Sequence, residues 1–124
     1  MLGGLQQMTP ELKSFDCADH DPIDQYTPKT ESVWYYLAMH IGLPGDSSSD
    51  MFTAIVATPS GLGELKARGQ QIECGRPILV SSYSWAAVRD EIQERLESCA
   101  GPNWLEVQEK LRREFLWEYE GMTR

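Results

Sequence analysis

SVWYYLAMHIGL, residues 32–43, followed after a short loop by MFTAIVAT, residues 51–58, decides the fold. The first stretch is dense in aromatic and β-branched residues, which suit a pleated strand. Alternation puts Val33, Tyr35, Leu37, Met39 and Ile41 on one face and Trp34, Tyr36, Ala38 and His40 on the other. Both faces carry bulk, so cover is expected on both. Gly42 and the run Pro44-Gly45-Asp46-Ser47-Ser48-Ser49-Asp50 read as a hairpin loop. The second stretch then returns with Phe52, Ala54 and Val56 on one face and Ile55 and Ala57 on the other. Strands this close in sequence pair antiparallel.

Working toward the C-terminus, Pro59 suits the first turn of a short helix through Leu62, Leu65 and Lys66, ending near Gly69. Gly61 and Gly63 each weaken that helix by about 1 kcal/mol relative to Ala. Pro77 to Tyr83 reads as another strand. Ser84 caps a helix whose apolar face is Trp85, Val88, Ile92, Leu96 and Cys99, with Arg89-Asp90-Glu91 and Gln93-Glu94-Arg95 on the opposite, solvent side. Gly101-Pro102 breaks it. Asn103 and Glu106 form a capping box for a last helix striped by Trp104, Val107, Leu111 and Phe115. Leu116 to Glu120 alternates, as a final strand or an extended tail.

Toward the N-terminus, Glu11 to Cys17 alternates as a short half-buried strand, and residues 1–10 are loose or a partial edge strand. Ala18 to Thr30, with Pro22 and Pro28, is a loop. The order predicts an α+β domain spanning 1–124, with a mainly antiparallel sheet and two longer C-terminal helices packed on one face.

The chain has 124 residues, the length of one domain. Its 11 Lys and Arg against 19 Asp and Glu give a net charge of −8. That excludes nucleic acid as an expected ligand, because phosphate binding needs clustered cations. It equally excludes an anionic membrane surface. There is no apolar signal segment at the N-terminus and no 18-residue apolar run, so a cytoplasmic location is expected. Cys17, Cys74 and Cys99 are odd in number, widely spaced and without a CxxC pair, which points to reduced thiols.

Three constellations of residues bear on chemistry. Cys17 with His20 is a nucleophile–base pair without an orienting third group, which leaves a small Cys-dependent hydrolase as a weak alternative. Asp19, His20, Asp21 and Asp24 offer oxygen and imidazole donors, but the prolines break the spacing a calcium loop requires. His40, on an aromatic strand, reads as a packed core histidine. Neither catalytic residues, nor a cofactor, nor a metal is expected. What remains is acidity: Glu11, Asp16, Asp19, Asp21, Asp24 and Glu31 lie in the first 31 residues, and nine more carboxylates lie from Asp90 to Glu120. Such a surface either keeps the chain in solution, as in a non-catalytic adaptor module, or complements a basic protein.

A set of motifs taken in order resembles the immunity protein 8 family. They are Lys13-Ser14-Phe15-Asp16-Cys17-Ala18-Asp19, Tyr26-Thr27-Pro28, Ile41-Gly42, Asp50-Met51-Phe52, Val56-Ala57-Thr58-Pro59 with Leu62, and Gly75 with Ile78-Leu79-Val80 and Tyr83. The most specific part is the ending: Trp104, Val107, Lys110-Leu111 and then Trp117-Glu118-Tyr119-Glu120. The chain departs from the family where Cys17-Ala18-Asp19 stands for the frequent Ser-Pro-Asp, and where Glu120-Gly121 stands for an acidic-Tyr pair. The resemblance implies an α+β antidote, without enzymatic activity or cofactor. Such a protein binds a cognate toxin domain of a bacterial polymorphic toxin system in the cytoplasm. The candidate toxin-binding residues are Asp16, Asp19, Asp21, Asp24, Trp117 and Glu118. Trp117 and Glu118 equally admit a structural role, closing the core and binding a backbone donor.

Overall fold

The structure is a computed structural model, and it describes residues 7–69 and 75–120. Cys74 and residues 1–6 lie outside them. The elements run β1 (Glu11–Asp16), a single 3-10 turn (Ile23–Gln25), β2 (Trp34–Gly42), β3 (Asp50–Ala57), α1 (Pro59–Ala67), β4 (Ile78–Leu79), α2 (Trp85–Ser98), α3 (Trp104–Glu114) and β5 (Leu116–Trp117). β1, β2 and β3 form an antiparallel meander. The outer edge of β3 is divided between two short pieces. β4 pairs with Val56 and Ala57 in parallel, and β5 pairs with Phe52 and Thr53 antiparallel. This is the α+β architecture expected from the sequence.

Val33 and the face of β2 bearing Tyr35, Leu37, Met39 and Ile41 are buried and pack with Phe52, Ala54 and Val56. α2 and α3 cover it with Val88, Ile92, Leu96, Val107 and Leu111. Both helices are capped at the residues expected. Ser84 Oγ accepts from the Ala87 amide at 3.0 Å, and Asn103 Oδ1 accepts from the Glu106 amide at 3.0 Å. Met8 and Gly101 exchange two backbone hydrogen bonds, which ties the N-terminal approach to the α2–α3 corner.

Three expectations change. First, β1 does not alternate strictly. Leu12 faces Ile41 and Ser14 faces His40, so Lys13 and Ser14 together oppose one residue. This bulge shifts the phase by one and lets both Leu12 and Phe15, three positions apart, pack on the core. Second, the strand expected over Pro77–Tyr83 is only Ile78–Leu79, extended by the Val80 amide donating to Ala57 O at 3.0 Å. Pro77 brings no N–H to a ladder, and the chain must turn to reach the Ser84 cap.

The second face is covered in part, as its bulk requires: the short helix α1 lies opposite α2 and α3, over a second cluster of Ile55, Ala57 and Leu65 with Trp34 and Tyr36. Third, Arg95 is not on the solvent side of α2. It is 4% exposed. Its Nε donates to Glu91 at 2.8 Å, and its two terminal nitrogens donate to the carbonyls of Arg76 and Pro77, each at 2.7 Å. Glu114 stands 3.8 Å from the same guanidinium and accepts from Arg76. A helical wheel sets Arg95 beside Val88 and Cys99, at the border of the apolar stripe, and its charge alone suggested solvent; the carbonyls of the 76–77 segment are what allow it to be buried there.

Tyr35 is fully buried, and its hydroxyl shares a 2.8 Å hydrogen bond with that of Tyr83. Burial, then this bond, pushes the Tyr35 phenol far above its ordinary value of 10.0. Burial also raises Tyr83. The folded state therefore holds protons that the unfolded chain releases above pH 10. Stability should be level below that pH and fall as pH rises past it. Urea titrations at pH 9 and 11 check this, and Tyr35→Phe should flatten the decline.

Candidate interaction surface

The structure separates the sequence-predicted residues into two places. Asp16 ends β1, exposed, opposite Ala38. Along that row Ala38 pairs with Thr53, and Thr53 pairs with Leu116. Four strands at the usual spacing put Asp16 and Leu116 about 14 Å apart across one face. The adjacent row runs Ser14, His40, Met51, and ends at Glu118, whose amide donates to Met51 O at 3.0 Å. Asp16 and Glu118, over one hundred residues apart in sequence, thus stand at opposite margins of one sheet face.

Asp19, Asp21 and Asp24 are exposed elsewhere, because the chain leaves that face after Asp16. Cys17 points into the core, and Ile23 anchors the 3-10 turn there. His20 stacks on Tyr26 with ring centroids 3.8 Å apart, close to Tyr35. Cys17 and His20 are therefore not presented together to solvent. Cys99 is likewise buried, and burial pushes its thiol up, away from the reactive thiolate. Among the described residues, no group of three or more His, Cys, Asp or Glu is gathered as metal ligands. No helix among them is long and apolar enough to cross a membrane.

The C-terminal motif is a clasp. Trp117 Nε1 donates to Asp50 at 3.0 Å, beside a 2.7 Å bond from Gln108 to the same carboxylate oxygen. The Glu118 carboxylate accepts from the Met51 amide. Arg112 lies 4.6 Å over the Trp117 ring and forks onto Glu120 at 2.9 and 3.0 Å. The Arg112 fork holds the Glu120 carboxyl below the usual range. Tyr119 packs edge-on against Trp117 and remains 47% exposed. Trp117 and Glu118 hold the end of β3, and Tyr119 is the aromatic that the clasp leaves in solvent.

One part of this surface was missed in the sequence. His40, expected in the core, is half-buried on the uncovered part of the second face. α1 has nine residues, about 13 Å of helix, whereas the nine residues of β2 extend about 30 Å. The helix therefore covers only the Trp34–Tyr36 end and leaves Ala38, His40, Met51, Thr53 and Leu116 half-open. The length mismatch was visible in the sequence, but which face α1 would take was not.

No curated protein and no solved structure matches the chain. A family model described as Immunity protein 8 matches residues 10–122. That match spans β1 through the clasp, and the chain belongs to the immunity protein 8 family.

Proposed function

We propose that this protein is the antidote of a bacterial polymorphic toxin system, and that it neutralises a cognate toxin domain by direct protein–protein contact in the cytoplasm. The observation that carries this reading is family membership over nearly the whole chain. The protein acts by binding alone. Its function then depends on residence: the complex must outlast the toxin's opportunity to act, which calls for a slow off-rate.

The acidic surface supplies the approach. Asp16, Asp19, Asp21 and Asp24 are all exposed, and the net charge is −8. Carboxylates held in solvent cost nothing to desolvate before contact and steer a basic toxin from beyond contact range. Pro22 and Pro28 limit the freedom that the loop loses on binding. Trp117 and Glu118 contribute a margin already fixed by the clasp, with Tyr119 beside them for contact.

The test is the variant Asp19→Asn, Asp21→Asn, Asp24→Asn, measured against the toxin domain encoded beside the gene. It should associate roughly 10-fold more slowly at low salt and lose much of its salt dependence. Because all three side chains are exposed, it should melt with the wild type. Unchanged association at every salt concentration would leave the loop as solvation only.

A further inference from the structure

We propose that the uncovered half of the sheet's second face is where the toxin domain docks, and that the toxin presents there an apolar projection bordered by cations. The proposal rests on the antidote reading above and adds the surface and the chemistry of its occupant.

The centre of this surface is apolar: Ala38, Met51 and Leu116, with Thr53 between them. All are half-open, and no element of the described chain covers them. An apolar centre with a polar margin is the anatomy of a protein interface rather than of a solvated sheet face. The strands beneath are rigid, since their other face is the main core. The backbone of this surface is thus held before the partner arrives, which lowers the entropy lost on binding.

The margin fixes the sign of the partner. Two cations beside this face are already matched: Lys13 with Glu11 at 3.0 Å, and Arg68, which lies over the Trp34 ring, with Glu64 at 2.9 Å. Asp16 and Glu118 have no cationic partner among the described residues. They stand on opposite sides of the apolar centre, so a projection flanked by two positive groups fits both. The same accounting disfavours a second copy of this chain. A two-fold pairing of the face with itself would bring carboxylate margins against each other.

The experiment uses full-length protein and the catalytically inactivated toxin domain encoded beside the gene. Thr53→Arg places a long cation at the middle of the face, where the open surface accommodates it, so the variant should melt with the wild type. It should weaken toxin binding by about 100-fold, because a like charge would sit in the desolvated centre of the interface. Gln93→Arg, on the exposed side of α2, should bind as the wild type does. Hydroxyl-radical footprinting of the unmodified protein supplies a readout without any variant: Met51 and Leu116 should be shielded in the complex. Wild-type affinity in Thr53→Arg, or equal labelling of Met51 free and bound, would overturn the docking surface while leaving the antidote reading standing. If Thr53→Arg does not fold, the footprint decides alone. A wild-type dimer abolished by Thr53→Arg would assign the face to a second copy and overturn the proposal. Failure of the wild type to bind the toxin at all would overturn both readings.

Discussion

Replacing Arg95 by alanine should cost about 3–5 kcal/mol, a large part of the roughly 5–15 kcal/mol that holds a domain of this size together. The guanidinium sits 4% exposed between α2 and the segment that enters β4. It satisfies two backbone carbonyls, those of Arg76 and Pro77, and one carboxylate, that of Glu91. Removing it strands both carbonyls without donors and leaves Glu91 and Glu114 facing each other with less positive charge between them. Both carbonyls are part-buried, and an acceptor orphaned in full burial costs about 1–3 kcal/mol, so these two together contribute at the lower end of that range. Arg95→Lys should recover only part of the loss, because an ammonium cannot present the planar fork that reaches both carbonyls. Urea denaturation of the two variants measures this. A loss under 1 kcal/mol for Arg95→Ala would mean that water replaces the guanidinium and that the site is open.

The two glycines of α1 should respond to alanine with opposite signs. A Cβ on Gly61 would lie 1.8 Å from the Val33 carbonyl oxygen and 2.4 Å from its carbon, so the helix would have to lift off the chain entering β2. That contact is fixed from both sides. The Thr58 amide donates to Val33 O at 2.9 Å, and the Val33 amide donates to Thr58 Oγ1 at 3.0 Å. Gly61→Ala should therefore destabilise by about 3 kcal/mol or more. A Cβ on Gly63 meets nothing within 4 Å, and the change should stabilise the helix by about 1 kcal/mol. Thermal melts of the two variants would show one midpoint falling by roughly 10 °C or more and the other rising by a few degrees. Two variants of equal midpoint would show that α1 does not rest on Val33.

Propensity alone treats these glycines alike, and the same limit runs through the chain. Residues whose roles are set by period were legible: the buried row of β2, the apolar stripes of α2 and α3, and the caps at Ser84 and Asn103. These depend on neighbours three or four positions away, or on alternation within one strand. Roles set by tertiary approach were not legible. The period sets Arg95 beside Val88 and Cys99, but the carbonyls of Arg76 and Pro77 that let a guanidinium be buried there come from outside the helix, and Leu12 could join Phe15 in the core only through a bulge. The candidate surface divides the same way. The acidity of the 16–24 segment is written in its composition. The convergence of Asp16 and Glu118 on one face required the pairing of β1 with β2, β2 with β3, and β3 with β5.

The divided outer edge of β3 has a consequence for how the protein is made. Its hairpin end is closed by residues 67 positions downstream, where Glu118 meets Met51. Synthesis runs from the N-terminus at about 5–20 residues per second, so β1, β2 and β3 leave the ribosome well before the segment that completes them. Until residues 116–118 are in place, the nascent chain holds an unpaired strand edge, the kind of surface that chaperones and aggregates both seize. A stalled or prematurely terminated chain lacks the clasp altogether. Such a chain keeps the open edge, and the sheet closes only once Glu118 has reached Met51.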